Sequence, residues 1–183
     1  MAGTARGRRL AAPAGTDVRP TGDRVREATF NALGSLDVVR DASVLDLFGG
    51  SGALGIEALS RGAAHATFVD SSRRSVEAIR ANLATCGLED RSSVVTADAT
   101  AFLAGHRGEF DLALVDPPYV YDGWDDLLGL LSASVVVIES DRPVDPGPGM
   151  VVQRQRRYGG TVVTIAVVTD REDRGRRTLE DRQ

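Results

Sequence analysis

What most constrains the fold of this chain is a repeated change of hydrophobic period. The runs "SVLDLF" (43–48), "HATFVD" (65–70), "SSVVTAD" (92–98) and "FDLALVD" (110–116) are short, apolar or β-branched, and read as strands. Between them, "ALGIEALSRG", "SSRRSVEAIRANLATCG" and a short piece near 99–104 read as helices. Ser71 or Ser72 can cap the second of these, and Gly87 can close it. Strands joined through helices lie parallel, and a parallel sheet needs cover on both faces, so the pattern is that of an α/β fold. "GWDDLLGLLSA" adds a helix and "SVVVIES" (134–140) a buried strand. The alternation then stops. "GMVVQRQRRYGGTVVTIAVVT" is two β-rich runs about Tyr158-Gly159-Gly160-Thr161, which predicts a C-terminal antiparallel hairpin.

Ahead of the first strand, "TGDRVREATFNALGSL" places Val25, Thr29, Ala32, Leu33 and Leu36 at helical spacing, ending at a Gly-Ser step. Residues 1–20, rich in Gly, Pro and Arg, read as an arm, 21–169 as one domain, and 170–183 as a charged tail expected to be disordered. An apolar content of 42% with 26% charge is that of an ordinary soluble protein, and no apolar run approaches a membrane span. The single cysteine, Cys86, excludes an intramolecular disulfide, and the two histidines, His65 and His106, lack the company of a metal site. All three read as surface or packing residues in a reducing, cytoplasmic setting. The net charge is −4, yet residues 1–40 hold seven arginines against four acids, a local balance of +3. Arg154, Arg156 and Arg157 form a second group, and every basic residue is arginine. On charge alone such groups are solvated faces more often than phosphate contacts.

In an open parallel sheet, ligands bind beyond the carboxyl ends of the strands, where the strand order reverses. Asp70, Asp98 and Asp116 fall at such ends. The first strand runs into "DLFGGSGALG", with Asp46 on the strand and Gly50, Gly52 and Gly55 in the turn and helix start. Glycine there lets a ligand reach the backbone, and a helix N-terminus offers unpaired N–H groups. Two cofactors fit this stretch. Gly50-x-Gly52-x-x-Gly55, with Asp70 about 20 residues on, satisfies the dinucleotide pattern. Asp46-x-x-x-Gly50-x-Gly52 equally satisfies the pattern of S-adenosylmethionine-dependent methyltransferases. The turn, with Phe48 and Ser51, would then hold the methionine moiety, Asp70 the ribose hydroxyls, and Asp98 would lie near the adenine. A tight strand–helix connection needs glycine without any ligand, and Asp70 and Asp98 could each simply cap the helix that follows.

Asp116-Pro117-Pro118-Tyr119 bears on the choice between them. Prolines at the edge of a sheet end strand pairing and leave carbonyl oxygens as acceptors. An exocyclic amine on a nucleobase is a poor nucleophile, because its lone pair is delocalised into the ring. A carboxylate (Asp116) and a rigid carbonyl (Pro117) can accept its two N–H bonds and aim the lone pair outward. Tyr119 supplies a ring for an extruded base to stack on. After a glycine turn and two strand-end acids, this favours a methyltransferase; a bare strand-end turn protecting the sheet edge would need none of the company.

The motif resembles the (D/N)PP(Y/F) signature of amino-methyltransferases, and the chain resembles the RsmD family, which methylates guanine N2 in small-subunit (16S) ribosomal RNA. The resemblance is carried by "RGRRLAAP" (6–13), "RPTGDRVREATFNAL" (19–33), "VLDLFGGSGALGIEALSRGA" (44–63), "DPPY" (116–119) and "YGGT" (158–161). It implies a Rossmann-like methyltransferase fold with a seven-stranded, mostly parallel sheet, and S-adenosylmethionine as cofactor. Asp46, Phe48, Gly50, Ser51, Gly52, Asp70 and Asp98 would form the cofactor site, and Asp116, Pro117 and Tyr119 the catalytic group, without a metal. The arginine-rich arm would lie beside an RNA-facing cleft, making Arg6, Arg8, Arg9, Arg19, Arg24 and Arg26 candidate phosphate contacts. The expected partner is small-subunit ribosomal RNA, free or in an assembling particle, met by a cytoplasmic monomer. Three features depart from the family. The chain starts at about the last glycine of an opening "RIIGG"-like strand, so an incomplete N-terminal hairpin is expected. Gly22 stands where Thr or Ser is usual, which weakens a helix cap, and the charged tail exceeds the usual ending. The rivals are an amino-methyltransferase of adenine N6 or protein glutamine, an NAD(P)-dependent oxidoreductase, and a non-catalytic RNA-binding module.

Overall fold

The β-type runs form strands β1 (Ser43–Leu47), β2 (His65–Asp70), β3 (Ser92–Thr96), β4 (Phe110–Val115) and β5 (Ala133–Ser140), followed by the hairpin strands β6 (Met150–Tyr158) and β7 (Thr161–Val168). Helices α1 (Asp23–Ser35), α2 (Ala53–Ser60), α3 (Arg73–Cys86), α4 (Ala99–Gly105) and α5 (Trp124–Leu130) lie where the helical spacing placed them. The computed structural model describes residues 3–5, 7–8, 10–13 and 22–169; the tail from 170 lies outside them, as do Arg6, Arg9 and Arg19. Among the described residues no helix is long and apolar enough to cross a membrane.

Local chemistry sets the ends of these elements. The side chain of Ser72 accepts from the Ser75 N–H, and Gly87 closes α3 at φ 65°, a left-handed conformation suited to glycine. Gly22 precedes α1 with no side-chain cap, as its missing hydroxyl requires. Three strands stop short of their runs, β4 by the one residue Asp116. Phe48 leaves β1 at φ 59°, and Asp98 leaves β3 to cap α4 through the Ala101 N–H. Leu36 falls beyond the end of α1 and is exposed, whereas Phe30, outside the expected stripe, is fully buried.

The sheet has seven strands in the order β3-β2-β1-β4-β5-β7-β6. β1 to β5 pair in parallel, while β7 runs antiparallel to both β5 and β6. Side chains alternate across it. Val44, Leu112 and Leu114 face Phe30, Leu33, Ile56, Leu59, Ile79 and Leu83 of α1, α2 and α3. Leu45, Leu47, Ala113 and Val115 face Leu103, Trp124 and Leu127 of α4 and α5. Both faces are therefore covered, as near-continuous apolar strands demand. The chain winds outward from β1 through β2 to β3, then restarts at β4 on the other flank of β1. That reversal leaves a crevice at the carboxyl ends of β1 and β4.

Candidate functional site

The register of the two central strands sets the site. Leu47 of β1 is level with Val115 of β4, so Phe48 and Asp116 leave the sheet side by side. Asp70 ends β2 on the other side of β1, where Val69 pairs with Leu47. The glycine turn and the acid of the Asp-Pro-Pro-Tyr motif thus share one crevice.

The turn is built by backbone hydrogen bonds. Gly52 N–H donates to the Gly49 carbonyl at 2.6 Å, and Gly49 N–H to the Val69 carbonyl at 3.1 Å. Gly50 (φ 57°) and Gly52 (φ 79°) are left-handed, a conformation that other residues adopt at a cost. Asp70 joins turn and helix: Oδ2 accepts from Gly50 N–H at 2.9 Å and Oδ1 from Ser72 N–H at 2.8 Å. Asp98 spends one oxygen on its cap, 3.0 Å from the Ala101 nitrogen, and is otherwise exposed at the end of β3.

Asp46 behaves differently from its expected role. Strand alternation points it under α2, where Oδ2 accepts from Gly55 N–H at 2.9 Å, and only 2% of the residue is exposed. It braces the turn from below and does not line it. Burial pushes its carboxyl up to about 8, opposed by the Gly55 hydrogen bond and reinforced by the negative charges of Asp116 and Asp70. Gly55 is fixed by the same packing, since a Cβ there would collide with the Phe68 ring.

On the β4 side, Pro117 is buried while Pro118 and Tyr119 are exposed. The Pro118 carbonyl accepts from Tyr121 N–H at 2.8 Å, closing a turn that leaves the Pro117 carbonyl outside its own hydrogen bond. Two contacts that the sequence did not reveal hold this loop. The Tyr119 hydroxyl lies 2.5 Å from Thr161 Oγ1, at the start of β7. The Tyr121 ring meets Phe48 edge-on at 5.2 Å, tying the loop to the glycine turn, and meets Trp124 at 5.3 Å. Phe48 has a left-handed backbone at φ 59°, a conformation that costs a residue other than glycine.

Of the candidate phosphate contacts within the described residues, Arg8 and Arg24 are exposed. Arg8 donates to the Thr85 carbonyl of α3. Arg26 is a correction: it is buried, pairing with Asp23 at 2.6 Å and with Glu57 of α2 at 3.6 Å, and so joins α1 to α2 instead of facing solvent. Asn82, not singled out from the sequence, is buried on α3. Its Nδ2 donates to the carbonyls of Ala11 (2.9 Å) and Ser51 (2.8 Å), and its Oδ1 accepts from Ala11 N–H at 2.8 Å. One side chain therefore fastens the N-terminal segment to the glycine turn. Two of the residues read as surface or packing groups have local partners: His106 stacks between Phe102 and Phe110, and His65 Nε2 lies 3.0 Å from Ser93 Oγ.

Topology and strand-end chemistry together define a class, the Rossmann-like S-adenosylmethionine-dependent methyltransferase fold. Within it, the chain belongs to the family described as Conserved hypothetical protein 95, which matches residues 1–167, the RsmD family of the sequence resemblance. It is 38% identical over 183 residues to a putative rRNA methyltransferase, YlbH, of Bacillus subtilis, covering 90% of this chain and 96% of that one. It is 42% identical over 131 residues to Ribosomal RNA small subunit methyltransferase D of Escherichia coli, covering 72% of this chain and 65% of the other. The solved structure of a putative methyltransferase, yhhF, from Escherichia coli superposes with a TM-score of 0.82 at 33% identity, over 93% of this chain and 97% of that one. A more distant likeness, 18% identical with a TM-score of 0.59 over 72% of this chain and 47% of the other, is to a putative methyltransferase complexed with SAH, and speaks for the fold alone.

Proposed function

We propose that this chain transfers a methyl group from S-adenosylmethionine to the exocyclic N2 amine of a guanine in small-subunit ribosomal RNA. The observation that carries the reading is the register of β1 and β4, which brings Asp116 and Pro117 beside the glycine turn. The turn suits the cofactor. Among the described residues, its two chain neighbours apart, the one heavy atom within 4 Å of the place of a Gly50 Cβ is the Phe48 carbonyl oxygen at 3.8 Å, so a ligand can approach that backbone. Gly50, Ser51 and Gly52 would hold the methionine moiety, Asp70 the ribose through lone pairs its two backbone bonds leave, and Asp98 would lie by the adenine. The cofactor supplies an activated methyl on a sulfonium, so the protein contributes alignment and charge placement.

Asp116 and the Pro117 carbonyl accept the two N–H bonds of the amine and hold its lone pair toward the turn. Asp116, or water beside it, takes the proton that nitrogen gives up. Tyr119 stacks the extruded base, and Arg8 and Arg24, with Arg6, Arg9 and Arg19, meet the RNA backbone. The names of relatives that the chain resembles, ribosomal RNA methyltransferases, support RNA as the substrate class. A cytoplasmic monomer acting on free RNA or an assembling particle completes the reading.

The test is direct. The protein and an Asp116→Ala variant are incubated with labelled S-adenosylmethionine and unmodified small-subunit RNA or particles, and the RNA is digested to nucleosides. Labelled N2-methylguanosine from the wild type, with at least a hundredfold loss in the variant, is the expected result. Labelled N6-methyladenosine would transfer the same chemistry to adenine and overturn the guanine assignment.

A further inference from the structure

The arginines near the C-terminus have no part in the site so far. Arg154 and Arg156 lie opposite Ile165 and Val163 on β6, and therefore on the face of the sheet that α1 covers. With Ala28, Thr29, Ala32 and Tyr158 they line a groove floored by Val163 and Ile165. The groove exists because α1 presents alanine and threonine where larger side chains would reach the strand. Both guanidiniums are exposed, and among the described residues no carboxylate pairs with either. Their neighbour Arg157 points to the other face and donates to the Asp141 carbonyl. Two cations outside any ion pair on one strand face, spaced about 7 Å apart, suit a run of negative charges better than one small anion.

The groove leads to the reaction edge. Going up β6 from Arg154, the face passes Arg156 and Tyr158 and reaches the turn before Thr161, whose hydroxyl meets Tyr119. On the opposite wall, α1 runs alongside α2, since Arg26 meets Glu57 and Arg61 meets Asn31. Its first turn, with exposed Arg24 one turn before Ala28, is thus at the same end. We infer that the α1–β6 groove, through Arg154 and Arg156, seats the phosphate backbone of the substrate RNA as it leaves the active site. The inference rests on RNA being the substrate. Arginines on an edge strand also discourage edge-to-edge pairing, but that purpose does not require them to share a groove with α1.

The experiment measures methylation of unmodified small-subunit RNA at several salt concentrations, for the wild type and for R154A/R156A, R154K/R156K and R40A/R107A. Arg40 and Arg107 are exposed just ahead of β1 and β4, at the amino ends of the strands, and control for general charge loss. R154A/R156A should raise the KM for RNA about tenfold and lower the slope of log KM against log salt by about 1 to 2, because phosphate contacts release counterions. Its kcat, KM for S-adenosylmethionine and melting temperature should stay at wild-type values. R154K/R156K should keep most of the affinity, and R40A/R107A all of it. An RNA KM and salt slope of R154A/R156A equal to the wild type's, with or without new self-association, would overturn the inference while leaving the enzyme's function standing. A wild type that binds S-adenosylmethionine but neither methylates nor retains the RNA would overturn both.

Discussion

Asp46 shows how a correct motif can carry the wrong role. Its spacing to Gly50 and Gly52 marks the glycine turn, and the turn is there. The alternation of β1 nevertheless points the carboxyl beneath α2, and the sequence cannot say which face of a strand lines a ligand. The position of Asp116 was easier to read, because it is the first residue beyond a buried strand beside the reversal point. Arg26 was missed for a related reason: charge suggests solvent, but its partner Glu57 lies on another helix, 31 positions away in the chain, and only packing brings them together. The burial of Asp46 has a measurable consequence. Its carboxyl goes from an ordinary 3.8 to about 8 in the folded chain. Between those values the folded state holds a proton that the unfolded state has lost, so this residue makes stability fall as pH rises from about 4 to 8. Below that window both states are protonated, and above it both are ionised. Asp46→Asn keeps an acceptor for Gly55 N–H and abolishes the titration. Melting temperatures of wild type and variant should be close near pH 4 and diverge in favour of the variant toward pH 8; parallel curves would show that Asp46 is ionised throughout.

The order of strands and helices was legible because each follows from a local period, and Ser72 and Gly87 closed α3 as their chemistry dictates. Less visible was what joins one segment to another. Nothing in "AIRANLATCG" distinguishes Asn82 from a solvent-facing polar residue, although its place beside Leu83 and one turn after Ile79 and Ala78 leaves it at the edge of the apolar stripe. In the fold it saturates three hydrogen bonds, two to Ala11 and one to the Ser51 carbonyl. Asn82→Ala would strand those backbone groups, each at about 1–3 kcal/mol if water cannot reach them. For a chain of this size that predicts a drop in melting temperature of several degrees. The turn that Ser51 belongs to should also lose definition, so the KM for S-adenosylmethionine should rise several-fold with kcat much less affected. A purely structural role would lower the melting temperature and leave that KM alone. Asn82→Asp should not rescue it, because a carboxylate lacks the donor that Ser51 and Ala11 share.

The hairpin completes the geometry of the candidate site. Two β-rich runs about Tyr-Gly-Gly-Thr predicted antiparallel strands, but strand order is set by pairing between distant segments, and the sequence did not say that β7 enters the sheet while β6 becomes its edge. That choice matters. Because β7 runs against β5, with Ser140 paired to Val162, the hairpin turn arrives at the carboxyl ends of the parallel strands and not at the far edge. Thr161 is buried there, while Tyr119 stands on an exposed loop that is held by the turn at Pro118 and by the packing of Tyr121 on Phe48 and Trp124. A ring proposed to stack an extruded base should lose little freedom on binding, and the hydrogen bond to the Thr161 hydroxyl restrains Tyr119 in advance. Thr161→Val keeps the shape and deletes the hydroxyl; Tyr119→Phe deletes the other half of the bond. Each should lower kcat/KM for RNA several-fold, with the KM for S-adenosylmethionine and the melting temperature nearly unchanged. The decisive measurement is the pair together. If the two hydroxyls act only through each other, the double variant is no worse than either single one, and Thr161→Ser restores activity. Additive losses would mean that each hydroxyl serves the reaction separately, and the hairpin would then be a lid on the sheet with no hold on the base.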